Sequence, residues 1–360
     1  MADSATAFAP GRVNLIGEHT DYNEGLALPF AISQGVTVRA RSSGDGRVHV
    51  TASDLDARDV FALDAPAPVA GWRAFARGAV AELSRDGRRL TGARLEISGS
   101  VPRGSGLSSS AALEVALSLA LLAVSGSPAP DRLTLARICS RVENDWVGAQ
   151  SGLLDQIASL FGEPDHALLI DFRSLDVTPV VLDLGAYSLV TLDSGERHAN
   201  AGNAQAGEAG EAGAAGAAGE AGYNRRRAEC RSACERLGVE SLRDVTLKRA
   251  ATLPDPLAAR ACHVITENAR VVATVAALRA GDLERVGALL NESHASLRDC
   301  FAISTPAVEA AVRRLHDAGA IGARIMGGGF GGVVLGLLAP GASPPSDAIA
   351  VRPGPGARVQ

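Results

Sequence analysis

The sequence predicts an α+β protein built from two lobes. Its first half alternates short segments of β-branched residues with helical segments, and its second half consists mainly of helices followed by a Gly-rich apolar segment. The 360 residues exceed what one compact domain usually needs, and 46% hydrophobic residues can fill a sizeable core. We therefore expect an N-terminal lobe over residues 1–178 and a C-terminal lobe over residues 179–360.

In the first half, alternating β-branched residues predict strands, and apolar residues at helical spacing predict helices. The predicted strands cover residues 35–40, 47–52, 93–98, 166–171 and 188–193. The predicted helices cover residues 72–85, 109–124 and 131–148. Strands and helices thus alternate without an internal repeat.

In the second half, predicted helices cover residues 223–237, 258–280, 283–294 and 306–318, and a last strand covers 348–352. The tract 202–222 differs from its surroundings because it is nearly all Ala, Gly and Glu. Its glycines disfavour a helix and alanine is its only apolar residue, so we expect a low-complexity, disordered loop without function.

Charge and composition exclude several classes of partner. The formal net charge is -5 and Lys248 is the only lysine, so neither nucleic acid nor an anionic membrane is an expected partner. The longest apolar run, 111–124, is shorter than the roughly 20 residues that cross a bilayer. No export signal is visible, and the five scattered cysteines form no metal motif. We expect a cytoplasmic protein with free thiols.

Residues 101–112 form a Gly/Ser-rich loop between a predicted strand and a predicted helix. Gly104 and Gly106 allow the backbone to approach a ligand closely, and the helix N-terminus supplies free N–H groups. The loop therefore suits the phosphates of a nucleotide, although its spacing matches neither a Walker A loop nor a dinucleotide-binding fingerprint. A plain turn with a helix cap is the alternative.

A second Gly-rich loop, 327–332, lies in an apolar, strand-like context. Glycines remove side chains where another backbone or a ligand must come close. A tight loop without a ligand is the alternative. Because two such loops occur in one chain, we expect them to share in one phosphate cradle.

Two further groups of polar residues are candidates for a functional site. Residues 11–22 place several charged and polar side chains beside apolar Leu15 and Ile16, which suits recognition of a sugar better than a solvated turn. Asp155 lies in an apolar stretch, where a carboxylate needs a partner, and Arg12 is the candidate. A purely structural ion pair between them is the rival explanation.

With these motifs together, the chain resembles the galactokinases of the GHMP kinase family. The resemblance rests on the segments 12–29 (RVNLIGEHTDYNEGLALP), 101–112, 263–270, 293–299 and 325–332. It implies a two-lobed GHMP kinase fold with the active site in the cleft between the lobes. It also implies transfer of the γ-phosphoryl group of ATP, with Mg²⁺, to the anomeric hydroxyl of α-D-galactose, the first committed step of galactose catabolism.

The resemblance also implies roles for individual residues. Asp155 would be the catalytic carboxylate, held ionised by Arg12, and sequence leaves open whether it is a true base or acts electrostatically. The sugar would contact Glu18, His19, Thr20, Asp21, Gly152 and Tyr223. ATP would contact Gly104, Ser105, Gly106, Leu107, Ser108, Ser109 and Ser110. Mg²⁺ would be held by Ser110 and Glu143.

Two features depart from the family pattern. The 202–222 tract precedes Tyr223, and we expect a harmless external loop because long surface insertions add little closure entropy. Residues 340–347 replace a helix that is usual in the family, which predicts exposure of part of the second lobe's sheet.

The alternatives are a kinase for a related sugar (N-acetylgalactosamine, arabinose or a uronic acid) and a non-catalytic galactose sensor. The intact sugar motif argues against the first, and the complete phosphate loop with Arg12, Glu143 and Asp155 argues against the second. We expect a monomer, since no apolar surface stripe is evident.

Overall fold

The described residues form three β-sheets with helices packed on them. In the computed structural model, residues 4–100, 106–149, 151–196 and 211–360 are described, of which 211–221 by their backbone alone. The strands are β1 (Ser4–Asn14), β2 (Leu26–Ala27), β3 (Pro29–Ser42), β4 (Arg47–Ala52), β5 (Ala57–Ala62), β6 (Ala93–Gly99), β7 (His166–Asp171), β8 (Asp176–Val181), β9 (Ser188–Asp193), β10 (Ala320–Ile325), β11 (Val333–Leu338), β12 (Ile349–Val351) and β13 (Arg358–Val359). The helices are α1 (Arg73–Arg85), α2 (Ser109–Val124), α3 (Arg132–Arg141), α4 (Leu154–Phe161), α5 (Glu211–Leu237), α6 (Leu247–Ala250), α7 (Leu257–Ala280), α8 (Leu283–Asp299) and α9 (Pro306–Asp317).

The first sheet has six strands in the order β13-β1-β3-β6-β4-β5, with β4 and β6 the parallel pair. Alternate residues of β1 and β3 point inward, as a half-buried strand requires: Ala7 and Val38 are buried, while Arg39 and Arg41 on the other face are exposed. Helix α2 packs on the inner face of β1 and β3. Its sequence is apolar almost all round, which fits a helix in the centre of a core.

The second sheet has four strands in the order β10-β11-β9-β12, and helices α8 and α9 pack on it. All six residues of β11 are buried. The predicted exposure of part of this sheet does not apply to β11, because Leu335 and Leu337 pack in one core cluster while Val334 and Leu338 pack in another together with α9. The last strand is confirmed as β12.

Strands β2, β7 and β8 form a third, small sheet. Strand β2 belongs to residues 15–28, which connect β1 to β3 and are called the sugar loop below. The predicted lobe boundary after residue 178 falls inside β8, so no break in secondary structure marks it. After β12 the chain returns to the first sheet, where β13 pairs with β1.

Most predicted elements occur within a few residues of their predicted ends. The prediction missed the strands β2, β5, β8, β10 and β13 and the helices α4 and α6. It also missed β1, since SATAFAP has few β-branched residues; the place of β1 is decided by pairing with β3. The predicted helix 131–148 is also wrong in its second part: α3 ends at Arg141 and a π-helical turn, Val142–Val147, follows. That turn ends at Gly148, whose φ of 93° only glycine adopts readily.

The 202–222 tract is a further difference. Residues 202–210 lie outside the described ranges, but α5 begins at Glu211 and continues to Leu237. The prediction of a loop over 211–222 is therefore wrong. Alanine is the strongest helix former, and each glycine costs only about 1 kcal/mol relative to it. A helix already held by its packed half can accordingly extend through this tract.

Candidate active site

Arg12 and Asp155 form the centre of the candidate site. Arg12 lies on β1 and Asp155 in the first turn of α4. The guanidinium binds the carboxylate with two donors, Nε to Oδ1 at 2.8 Å and Nη2 to Oδ2 at 3.2 Å. Ser108 Oγ donates to Oδ2 as well. Arg12 is almost fully buried, whereas about a quarter of the Asp155 side chain is exposed. The pair therefore presents a fixed carboxylate to solvent.

The described part of the phosphate loop lies directly beside this pair. Arg12 Nη1 donates to the carbonyl of Gly106 at 2.7 Å, and Ser108 is the residue that precedes α2. Gly106 and Ser108 both have positive φ, which turns the chain sharply into the helix. Ser109 and Ser110 lie in the first turn of α2, where N–H groups await an acceptor. This arrangement can bind phosphate oxygens.

The second Gly-rich loop meets the first. A Cβ on Gly106 would lie 3.4 Å from Cγ2 of Val333, which follows the 327–332 turn between β10 and β11. Within this turn Gly329 has φ +83°, and a Cβ there would lie 2.4 Å from Cβ of Ile303. A side chain at Gly329 is thus excluded by close approach, whereas Gly106 makes an ordinary contact with Val333. The two loops line the same region, as the shared-cradle prediction expects.

Two further carboxylates, Glu143 and Glu114, lie near Asp155. Gln156 Nε2 donates to Oε2 of both Glu143 (2.9 Å) and Glu114 (3.2 Å), and Ser151 Oγ donates to Glu143 at 2.6 Å. Burial, followed by repulsion from a neighbouring carboxylate, raises the pKa of Glu143 and raises that of Glu114 well above its usual value. This excess of acidic groups favours a cation nearby.

The sugar loop reaches the site through Asp21. Its carboxylate lies against the backbone of Gly152: a Cβ at Gly152 would be 1.9 Å from Asp21 Oδ2. Burial, and then the charges of Asp155 and Glu18, raise the pKa of Asp21 to about 6. Asp21, Gly152 and Asp155 therefore line one side of the cleft.

Aromatic rings line the part of the cleft next to Asp21. His19 Nδ1 and Tyr22 Oη are 2.8 Å apart, and the His19 ring lies 5.4 Å from Tyr223 and 4.7 Å from Phe301. Burial, with a smaller effect of His263, lowers the pKa of His19 to about 3, so the ring is neutral at pH 7. Its Nε2 is buried, and the backbone of Gly328 in the second Gly-rich loop lies beside the ring.

Comparisons with known proteins identify this arrangement. The family model of the GHMP kinases N terminal domain matches residues 74–163, that of the GHMP kinases C terminal matches 274–352, and the galactokinase galactose-binding signature matches 2–42. Galactokinases of Mycobacterium tuberculosis H37Rv and Streptomyces coelicolor are 45% and 40% identical, each over 92% of this chain and over 88% and 83% of their own length. The chain belongs to the galactokinase family of GHMP kinases.

Solved structures agree with this family. Lactococcus lactis galactokinase, crystallised with galactose, superimposes with a TM-score of 0.86 at 30% identity, over 99% of this chain and 95% of that one. Methanococcus jannaschii mevalonate kinase, at 16% identity and a TM-score of 0.65 over 97% of this chain and 98% of its own, shares the fold. The predictions of a GHMP kinase fold and of a sugar kinase are confirmed.

The predicted contact residues of this galactokinase-family site differ in where the structure places them. Gly104 and Ser105 lie outside the described residues. Leu107 is buried in the core beside Val333, and only its carbonyl serves the site, as acceptor from the Arg12 N–H. Thr20 is fully buried, and its hydroxyl donates to the carbonyls of Gly17 and Leu26. That hydroxyl closes the loop rather than facing the cleft.

Glu18 is nearly buried and holds two protein donors. Its Oε1 accepts from the Gly327 N–H at 2.8 Å and lies 3.2 Å from Arg324 Nη2. The first motif and the Gly-rich turn of the second lobe are thereby joined. Arg324 is fully buried and also donates to the carbonyls of Asn14 and Leu15.

Several residues of the galactokinase site were not predicted from sequence. Tyr22 and Phe301 contact His19, Gln156 donates to Glu143, and Glu114 accepts from Gln156. Two signals were available in the sequence. The first is that Tyr22 and Gln156 are neighbours of predicted residues. Glu114 is a charged residue within the apolar run 111–124, where a buried carboxylate needs a polar partner.

Proposed function

We propose that the protein transfers the γ-phosphoryl group of ATP to the anomeric hydroxyl of α-D-galactose, giving galactose 1-phosphate and ADP. The observation that carries the proposal is the Arg12–Asp155 pair, placed between the N-terminus of α2 and the sugar loop. A carboxylate fixed there can meet a sugar hydroxyl on one side, while the phosphate-binding helix end lies on the other.

Asp155 orients the acceptor hydroxyl. A carboxylate offers about four acceptor positions, and Arg12 and Ser108 occupy three of them. The fourth accepts the anomeric O–H. As the sugar oxygen bonds to Pγ, the bond from Pγ to the ADP oxygen breaks and the hydroxyl proton passes to Asp155. Arg12 balances the charge of the carboxylate before that transfer.

Mg²⁺ is the cation that this proposal places beside the phosphates, where it would neutralise charge on the β- and γ-phosphoryl oxygens. Glu143 fits it: the carboxylate is buried, is contacted by the neutral donors Ser151 and Gln156, and stands among other carboxylates. Ser110 lies one helical turn before Glu114, so it shares that face of α2. In the described ranges no three His, Cys, Asp or Glu side chains form a metal site.

His19, Asp21, Gly152 and Tyr223 would contact the sugar, and residues 104–110 the nucleotide. We further propose that the protein acts as a monomer in the cytoplasm. In the ranges that the structure describes, none of the helices is both long enough and apolar enough to cross a bilayer.

The test is ADP release from ATP and Mg²⁺ with a panel of sugars: galactose, N-acetylgalactosamine, arabinose and galacturonic acid. We expect turnover with galactose and its loss in Asp155→Asn, which keeps the shape of the side chain but removes its charge. Asp64→Asn, at an exposed position of the first lobe, is the matched control and keeps full activity.

Each other outcome contradicts a different part of the proposal. Preference for another sugar on the panel contradicts the substrate. Galactose binding by calorimetry without turnover, in folded protein, indicates a sensor. Full activity of Asp155→Asn removes Asp155 from the reaction.

A further inference from the structure

Three side chains of α7 hold the backbone of the sugar loop. Glu267 Oε1 accepts from the Gly17 N–H at 3.0 Å, Asn268 Oδ1 accepts from the Leu26 N–H at 2.7 Å, and His263 Nε2 lies 3.2 Å from the Glu18 carbonyl oxygen. They belong to the 263–270 motif. These contacts join residues about 250 positions apart in sequence.

These backbone groups need external partners because the loop satisfies only part of its own hydrogen bonding. Thr20 uses its hydroxyl and carbonyl to close the turn, and Asn23 Nδ2 donates to the His19 carbonyl. The N–H groups of Gly17 and Leu26 turn outward to α7 instead. A buried backbone donor without a partner is strongly unfavourable, so side chains of α7 supply the hydrogen-bond acceptors that a neighbouring strand would otherwise provide.

Helix α8 fixes the α7 side chains in turn. Ser293 Oγ donates to Glu267 Oε1 at 2.7 Å, and Ser296 Oγ lies 2.8 Å from His263 Nδ1. Both serines belong to the 293–299 motif. Arg270 Nε binds the other oxygen of Glu267 at 2.7 Å.

Glu267 is fully buried, and its charge is balanced within the network. Burial would raise its pKa, but His263, Arg270 and Arg324 lower the pKa of Glu267 to about 2. The carboxylate is therefore ionised, and an ionised acceptor makes the stronger bond to the Gly17 N–H. A buried charge of this kind fixes one geometry, because every displacement leaves it partly unpaired.

We propose that His263, Glu267 and Asn268 are positioning residues that hold the sugar loop, and with it Glu18, His19 and Asp21, in the geometry that binds galactose. None of the three is placed at the reacting atoms. They act through the backbone of Gly17, Glu18 and Leu26, which flank or belong to the residues proposed to bind the sugar. The inference rests on the proposed function for its substrate, but its structural part, the fixing of the loop, is independent of the reaction.

Asn268 offers the sharpest test. Asn268→Asp keeps the oxygen that accepts from Leu26, while Asn268→Leu removes it; both lose the amide donor to the Val264 carbonyl of the same helix. Thr274→Val is the control, because Thr274 is fully buried on α7 and its hydroxyl bonds only within the helix. Glu267→Gln is the second variant, which retains an acceptor but loses the charge.

The first readout is amide hydrogen exchange of the peptide covering residues 15–28, without ligands. We expect exchange about tenfold faster in Asn268→Leu and in Glu267→Gln, and wild-type exchange in Asn268→Asp and Thr274→Val. Unchanged exchange in Asn268→Leu would overturn the inference whether or not the protein turns over galactose.

The second readout is the split between the two substrates. We expect the KM for galactose to rise about tenfold in Asn268→Leu, and the KM for ATP to stay at the wild-type value. If Asn268→Leu and Thr274→Val both lower kcat and raise the KM of both substrates, the cause is a general loss of folding. That result contradicts the positioning role. Absence of turnover in the wild type contradicts the proposed function instead, and the exchange measurement then decides the inference.

Discussion

At the level of single residues, Asp21 shows how a binding group is placed at the expense of stability. Its half-buried carboxylate has a pKa raised to about 6 by burial and by Asp155 and Glu18, against the lowering effect of Arg227 and of the Tyr22 amide. The folded protein thus keeps this proton to higher pH than the unfolded chain. The free energy of unfolding accordingly falls as pH rises from about 4 to about 6 and stays lower above that.

Asp21→Asn should remove this penalty. We expect the variant to be more stable than the wild type at pH 7 by about 1–2 kcal/mol, because part of the carboxylate faces water in the cleft, and to be no more stable at pH 4. Thermal unfolding at the two pH values measures the difference. Equal stabilisation at both would indicate that the charge is not the cause.

Gly152 matters because the Asp21 carboxylate packs directly against its backbone. Gly152→Ala would put a methyl group 1.9 Å from Asp21 Oδ2, so the carboxylate must move. We expect the KM for galactose to rise by about an order of magnitude with little change in the KM for ATP. Steady-state kinetics test this against Gly99→Ala, where the nearest atom is Asp54 Oδ2 at 3.3 Å. A rise of similar size in Gly99→Ala would show that the effect is not specific to the sugar site.

At the level of elements, α4 is held at its far end by the C-terminal tail. Asp155 lies in the first turn of α4, and the carbonyls of Ser159 and Gly162 at its end accept from the N–H groups of Ala357 and Gly356. Beyond them β13 pairs with β1, the strand that carries Arg12. Both members of the Arg12–Asp155 pair therefore lie on elements that the tail contacts.

Gly162→Ala tests how tightly the tail packs on α4. The added Cβ would lie 2.3 Å from Cβ of Ala31 and 3.1 Å from the Gly356 nitrogen. We expect a loss of about 1–3 kcal/mol in the free energy of unfolding, measured in urea. The double variant with Ala31→Gly removes the first clash and should recover part of the loss. If the double variant recovers no stability, the clash with Ala31 is not the cause of the loss.

At the level of the whole molecule, the sugar site is built from both groups of elements. The sugar loop leaves β1 of the first sheet, while α7, Arg324 on β10 and the 327–332 turn belong with the second sheet. Galactose bound there contacts only the folded arrangement, so it should stabilise the entire chain.

We expect galactose at about 100 times its Kd to add about 2.7 kcal/mol to the free energy of unfolding. Differential scanning calorimetry with and without the sugar measures the effect, and L-galactose, the mirror image, is the matched control. Equal stabilisation by both enantiomers would show solvent exclusion rather than binding.

The sequence alone determined the local structure and the chemical groups. Periodicity and turn residues predicted the bounds of β4, α2, β7 and β9, since these depend on a few neighbouring residues. The same windows misjudged β1, the π-helical turn and the start of α5, where pairing with distant strands, a single glycine or extension from a packed helix decides the outcome.

Only the tertiary structure decided which groups meet. Arg12 and Asp155 are 143 residues apart, and their bidentate contact depends on how β1 and α4 pack. The sequence marked 263–270 and 293–299 as motifs without a role. In the fold, side chains of the first motif bind the backbone of the sugar loop, and serines of the second bind those side chains. Long-range contacts of this kind follow from the arrangement of whole elements, which no short stretch of residues encodes.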